Sequence, residues 1–386
     1  MFSIPFLRKG GERVAVADVG SGSAGVAILS FARGEPVKII AAHRVTLPFE
    51  ERTQEATATG VISALAESAE KALTAARTLG FGPVQSTHAV IHAPWVRSKT
   101  VSAVKEFPGD QKVNAEEIAA LAKEALAGEK EFNHQNLIEA NVVRVELNGY
   151  PTAYPNGKHA HVIFAATLVS ECQPRIKTVA QETLVKVFSL PPTFHSGTKA
   201  LLTLLRGRSA SHTNYLIIDM ASEATSLVSV HKGAPIAHAL VLEGTHTILK
   251  RIAGNGMPEE TSTLMRMLAR DHCEDSSCEE LKVNMAHTEQ ELVRIFGEAF
   301  SALAESRKLP QALVLVAESS MAEWLSLFFS RIDFTQFTLT TQPFSVEILT
   351  HEELQHFVTS NDPNGSQDIG LLVASSLIGS NLEGER

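Results

Sequence analysis

One pattern occurs twice in this chain, and it constrains the fold more than any other feature. In "VADVGSGSAGVAIL" (residues 16–29) an apolar run ends in Asp18, turns through Gly and Ser, and restarts as a second apolar run. In "IIDMASEATSLVSV" (residues 217–230) an apolar run ends in Asp219, turns through small polar residues, and restarts in the same way. Each block continues into a third apolar run and then a helix. The first uses "EPVKIIAAHRVTL" after a turn at Gly34, then "TATGVISALAESAEKALTAARTLGFG". The second uses "APIAHALVL" after His231-Lys232-Gly233, with Gly244 and Thr245 opening its helix. Strand, Asp, small-residue turn, strand, turn, strand, helix, repeated once, reads as an internal duplication. Its expected product is an α/β fold of two related domains.

The remaining segments attach to this frame. Val61, Leu65, Ala69 and Leu73 recur at helical spacing, and Gly80 ends that helix. "HAVIHAP" reads as a buried strand. Residues 85–172 read as a separate small module. Within it, "NAEEIAALAKEALAG" is a helix with Asn114 as N-cap, Glu117 completing a capping box, and Gly128 at its end. "ANVVRVELNGYPTAYPNGKHAHVIFAATLV" supplies two strands around a Pro/Asn/Gly turn, and "PRIKTVAQETLVKVF" is a further helix. Residues 251–310 are mainly helical and acidic. "ALVLVAESSMAEWLSLFF" is a strand, turn and helix, and "SQDIGLLVASSLIG" is a closing apolar helix expected to pack on that strand's sheet. The boundaries drawn are 1–84 with 173–210 for the first domain and 85–172 for the inserted subdomain. The second domain takes 211–250 with 311–386, around a helical part at 251–310.

Composition narrows the partners. A length of 386 residues exceeds one compact core, so several domains are expected. A formal net charge of −9 argues against nucleic acid, whose phosphates need a basic face. Three cysteines (Cys172, Cys273 and Cys278) make no disulfide framework, which fits a reducing cytoplasm. With His272 beside them, Cys273 and Cys278 still lack two further ligands for a metal, so an acidic loop or helix end is expected there. No apolar run reaches the ~20 residues of a membrane-spanning helix. Phe2, Ile4, Phe6 and Leu7, followed by Arg8 and Lys9, form a leader that either frays or rests on a membrane surface.

A carboxylate at a strand end beside a Gly/Ser turn suits a phosphate site: turn N–H groups cradle phosphate oxygens and the carboxylate holds Mg²⁺ or its waters. One such hairpin alone is more often structural. Two facing each other would clamp a polyphosphate. Here the sequence resembles the actin-like ATPase superfamily, of the type represented by the pilus protein PilM and the division protein FtsA. "VADVGSGSAGVAILSF" looks like the first phosphate motif, and "LIIDMASEATSLVSVHKGAPIAHALVLEGTHTILKRIA" is similar to the second. "LVLVAESSMAEWLSLFF" sits where the adenosine motif belongs, and "SQDIGLLVASSL" resembles the closing helix. The module after "HAVIHAP" lies where PilM and FtsA carry their extra subdomain. The leader and the acidic, short "SNLEGER", without an amphipathic membrane helix, favour the PilM type over the FtsA type.

The resemblance implies an actin-like (ribonuclease H-like) duplicated fold with an inserted small α+β subdomain. It implies ATP and Mg²⁺ as ligands. Asp18 and Asp219 would organise the metal, Gly20, Ser21, Gly22 and Ser23 the phosphates, and Ser222 and Thr225 the second turn. Gly244 and Thr245 would open a helix toward the nucleotide, and Ala317, Glu318, Ser319 and Ser320 would form the adenosine loop. Two departures stand out. Ala221 replaces a usual Gly, and "AESS" lacks the adenosine loop's Gly pair. With no residue identifiable as catalytic, hydrolysis is expected to be weak or absent. The expected role is a cytoplasmic scaffold at the inner face of the membrane. It would bind the cytoplasmic segment of an inner-membrane protein, in or near the extra subdomain, and possess a surface for self-association. The alternatives are an FtsA-like division protein and, less favoured, a small-molecule kinase of the same fold.

Overall fold

The computed structural model describes residues 12–31, 35–50, 53–207, 213–270, 272–273, 276–305, 307–331, 333–360 and 362–384. The expected leader from Phe2 to Lys9, the Gly34 turn, most of the polar linker after Arg206 and the end of "SNLEGER" lie outside these residues.

In the first half, β1 (Glu12–Val19), β2 (Ser23–Phe31) and β3 (Val37–Thr46) form an antiparallel meander. Val14 to Ala17 are all buried, as expected of a central strand covered on both faces. α1 (Gln54–Thr78) then carries the chain back, with the Thr53 hydroxyl accepting from Ala56 N–H at 3.2 Å as its N-cap. Its buried face is rich in small side chains, Ala58, Ala64, Ala69, Ala72 and Ala76 beside Val61 and Leu65, so the helix lies close on the sheet. β4 (Ser86–Ile91) follows, parallel to β1.

The insertion comes next. β5 (Val96–Lys112), α2 (Ala115–Gly128), β6 (Leu137–Leu147), β7 (Tyr150–Pro151) and β8 (His159–Cys172) form a helix-covered sheet in the order β5-β8-β6-β7. It has its own small core around Val113, Leu121, Val145 and Ile163. The Asn114–Glu117 capping box forms as expected. The long β5 has no strand counterpart in the sequence reading. It is an edge strand of mostly polar residues, and Pro108-Gly109 fall in a register break between Glu106 and Gln111. α3 (Pro174–Phe188), β9 (Pro192–Ser196) and α4 (Gly197–Gly207) return the chain to the first half.

The second half repeats the first. β10 (Tyr215–Met220), β11 (Thr225–His231) and β12 (Ala234–Val241) form a meander. The helices α5 (Thr245–Ala253), α6 (Pro258–Ala269) and α7 (Ser276–Ala304) follow. β13 (Ala312–Val316) then lies parallel to β10, and after α8 (Ser319–Arg331), β14 (Ser345–Ile348) lies parallel to β13. The orders β3-β2-β1-β4-β9 and β12-β11-β10-β13-β14 are the same topology. Even the irregularities coincide. The register shifts after Ile28 in one meander and after Ser229 in the other, at equivalent distances from Asp18 and Asp219. The two cores differ in content. Where α1 offers alanines, α7 and α8 offer Phe296, Phe300, Phe328 and Phe329, packed edge to face.

Three expectations need correction. The boundary at 85 separates β4 from the first half, yet β4 pairs with β1 and β9 and is central to that sheet. Residues 311–386 do not all belong to the second half. After α9 (His351–Leu354), β15 (Val358–Ser360) pairs with β3, and after α10 (Pro363–Ser366), α11 (Ile369–Gly384) packs on β1, β2 and α4. A single buried cluster joins α4 and α11 to inward residues of both sheets, including Val16, Leu29, Ile217 and Val228. Leu371 to Ile378 of this helix are buried on every side, and the space between the sheets supplies the cover. Finally, Cys273 and Cys278 form a disulfide between α6 and α7, with Cα atoms 5.8 Å apart, inside bridging distance. They are neither free thiols nor metal ligands.

Candidate functional site

The turns after β1 and β10 face each other across a cleft of about 600 Å³ between the two halves. Each turn closes with the same bond. Gly20 N–H donates to Ser23 O at 3.0 Å, and Ala221 N–H donates to Ala224 O at 2.9 Å. Ala221 takes no positive φ, so the backbone there does not require the Gly that the family pattern carries. Gly22 is different. A Cβ on it would collide with the Ser222 side chain, so its small size lets the turns touch. Ser21 Oγ also accepts from Glu223 N–H at 3.0 Å, joining the two halves directly.

Of the residues singled out in the sequence, Asp18, Gly20, Ser21, Gly22, Ser23, Asp219, Ser222, Ala317, Glu318 and Ser319 line this one cleft. Thr225, Gly244, Thr245 and Ser320 do not. Thr225 is buried and donates its hydroxyl to Glu243 O. The first amides of α5 are used internally: Thr245 N–H donates to Ala221 O at 2.9 Å and His246 N–H to Ser222 O at 2.8 Å. A Cβ on Gly244 would strike those same carbonyls. Gly244 and Thr245 therefore brace the second turn from behind rather than opening toward a ligand. Ser320 Oγ donates to Glu318 Oε1 at 3.0 Å.

The chemistry of the cleft is set by residues that sequence reasoning missed. Arg44 on β3, His92 just after β4 and Asp368 just before α11 join Asp18 and Asp219 in one network. Arg44 Nη2 donates to Asp18 Oδ2 at 2.6 Å, and Arg44 Nε and Nη2 donate to the two Asp368 oxygens at 2.6 and 2.9 Å. Arg44 Nη1 reaches Ser23 Oγ at 2.8 Å. His92 Nε2 lies 2.7 Å from Asp18 Oδ1, and its Nδ1 lies 3.3 Å from Asp219 Oδ2. An imidazole with a carboxylate on each nitrogen donates from both, which only the protonated ring can do.

Local folding explains how Arg44 arrives. Gly25 lies opposite Asp18 on one side and opposite Arg44 on the other, so the three residues cross three adjacent strands. A Cβ on Gly25 would come within 2.9 Å of Arg44 Nη2; without one, the guanidinium passes over β2 to the carboxylate. Burial alone would raise the Asp18 pKa, but the charges of His92 and Arg44 outweigh it and hold the carboxyl far below the usual range. Burial would lower the His92 pKa, and Asp18 first, then Asp219, reverses this and lifts it to about 10. Asp368 and Asp18 likewise raise Arg44 against its burial. Signals for these residues existed: a lone cation in the run "IIAAHRVT", and an Asp at the start of an apolar helix. Their common destination was not visible.

Magnesium needs oxygen ligands in near-octahedral array. Here both Asp18 oxygens and one Asp219 oxygen already face cationic donors, and the described residues contain no group of three His, Cys, Asp or Glu that could hold a metal ion. The donor set does not fit Mg²⁺. Elsewhere, a buried polar group ties the insertion to the first half: Glu139 of β6 accepts from Ser170 Oγ at 2.7 Å and from Ser196 Oγ. No helix among the described residues is long and apolar enough to cross a membrane.

No family model matches the sequence, and no curated protein does. Solved structures do match in shape. One described as a PilM-PilN type IV pilus biogenesis complex overlays 97% of this chain and 98% of its own, at 15% identity and a TM-score of 0.58. The ethanolamine utilization protein EutJ of Carboxydothermus hydrogenoformans matches over 95% and 93%, at 12% identity and a TM-score of 0.44. A ROK family glucokinase of Streptomyces griseus, solved with glucose and AMPPNP, matches over 95% and 98%, also at 12% identity and a TM-score of 0.44. The duplicated sheets, the facing turns and the full-length overlay on the PilM structure agree: the chain has the actin-like fold with an inserted α+β subdomain.

Proposed function

We propose that the chain is an actin-like scaffold of the PilM type. It works in the cytoplasm at the inner face of the membrane, and it helps to assemble a type IV pilus by binding the cytoplasmic segment of an inner-membrane protein. The observation that supports this reading most is the end-to-end overlay on the PilM chain, including the insertion between β4 and α3. The insertion is the part of the fold free to specialise, since the two repeated halves already complete each other's core. Membrane association is peripheral and runs through the partner. ATP in the cleft acts as a conformational ligand rather than a fuel.

A small-molecule kinase of the same fold would need a carboxylate free to take a proton from its substrate. Asp18 and Asp219 are instead bound on either side of His92. An FtsA-like division role shares the fold and is separated by its partner. The test is purification of the tagged full chain from solubilised membranes, with partners identified by mass spectrometry. A pilus inner-membrane protein with a short cytoplasmic segment is the expected companion. Enrichment of a tubulin-like division protein, or of no membrane protein, overturns the proposal.

A further inference from the structure

Asp18 and Asp219 end the central strands of the two halves, where a nucleotide's divalent cation would sit between them. His92 occupies that position instead, with one ring nitrogen toward each aspartate. Arg44 takes the remaining Asp18 oxygen and ties it to Asp368 at the start of α11. Both cations have space built for them. Gly25 leaves room for the guanidinium, and a Cβ on Gly197 would run into the His92 ring. The carboxylates of Asp18, Asp219 and Asp368 are 6, 12 and 11% exposed, so the network is largely shielded from water.

We propose that Arg44 and His92 stand in for the divalent cation: His92 joins the two halves at Asp18 and Asp219, and Arg44 occupies the other Asp18 oxygen, without metal. The inference rests on the actin-like arrangement of the cleft and not on the scaffold role. Two cations carried on side chains of the chain itself are not exchanged with solution as a bound metal ion is.

The probe is Mn²⁺, whose free aqueous ion gives an electron paramagnetic resonance signal that is lost on binding. Full-length wild-type protein should leave that signal unchanged. His92→Asn, which uncovers Asp18 Oδ1 and Asp219 Oδ2, should gain saturable Mn²⁺ uptake, and adding Asp18→Asn should abolish it. Arg44→Gln uncovers Asp18 Oδ2 and serves as the second variant if His92→Asn fails to fold, as judged by circular dichroism. Wild-type uptake of Mn²⁺ that disappears in Asp18→Asn overturns the proposal. So does the absence of uptake in both variants, because the cations would then not be what excludes the metal. Neither measurement involves a protein partner or a nucleotide, so failure here is distinct from failure of the scaffold reading.

Discussion

The two halves share strand order, turn geometry and even a register shift, yet they treat their aspartates differently. In the first, Asp18 lies beside Gly25, and Gly25 beside Arg44, so a cation reaches across the middle strand. In the second, Asp219 lies beside Ser226, and Ser226 beside Leu240, a partly exposed apolar side chain. The copied backbone supplies both carboxylates. One Gly and one Arg decide which is neutralised from within its own sheet. His92, from the first half, serves the second aspartate as well, so the asymmetry is also what couples the halves.

The comparison breaks most severely at Arg44. Arg44→Met leaves Asp368 buried without its cation and Asp18 with only one of its two, and should lower unfolding stability by about 3–5 kcal/mol in urea titration. Its mirror, Leu240→Met, should change stability by less than about 0.5 kcal/mol. Similar losses in the two variants would contradict the asymmetry. Next is Gly25→Ala, which forces the guanidinium aside and should cost about 1–3 kcal/mol, against about 0.5 or less for Ser226→Ala. Combining Gly25→Ala with Arg44→Met should cost less than the sum of the two, since the clash disappears with the guanidinium.

The histidines of the first sheet sharpen the contrast under acid. His88 on β4 and His195 on β9 lie with Nδ1 and Nε2 3.2 Å apart, while the position equivalent to His88 in the second half is Val314. Burial, with Lys199 nearby, lowers His88 to about 4, and burial, Lys199 and His88 lower His195 to about 3. The unfolded chain therefore takes up protons first. The pair's contribution to stability is complete above the ordinary histidine value near 6.5 and falls as pH drops from there toward 4. His88→Val should flatten that fall by about 1–2 kcal/mol, read from unfolding midpoints across pH. An unchanged profile would remove the pair as its cause.

The smallest effect is expected at the second turn. Ala221→Gly introduces a glycine where no positive φ calls for it, so stability should shift by no more than about 1 kcal/mol. Calorimetry should show no new Mg²⁺-dependent nucleotide binding, since His92 and Arg44 remain in place. A variant that binds Mg²⁺-ATP tightly would place the limitation in the turn rather than in the cations.

Much of this was legible in one dimension. The duplication showed because apolar strands, terminal Asp and small-residue turns are local patterns, written in consecutive residues. The Asn114 capping box and the helix ending before Gly80 were legible for the same reason. β5 was not, because a polar edge strand carries little apolar alternation.

By itself, then, the sequence determined the repeated α/β topology, the inserted module and the facing aspartate turns, since each depends on periodicity and backbone preference within a few residues. Tertiary structure alone decided what those turns contain. Arg44, His92 and Asp368 lie 26, 74 and 350 positions beyond Asp18, and only sheet register and the return of α11 bring them together. It also decided that α11 belongs against the first sheet, because an apolar helix is placed by the surface that can cover it. Charge neutralisation and burial depend on neighbours in space, and those neighbours come from every part of the chain.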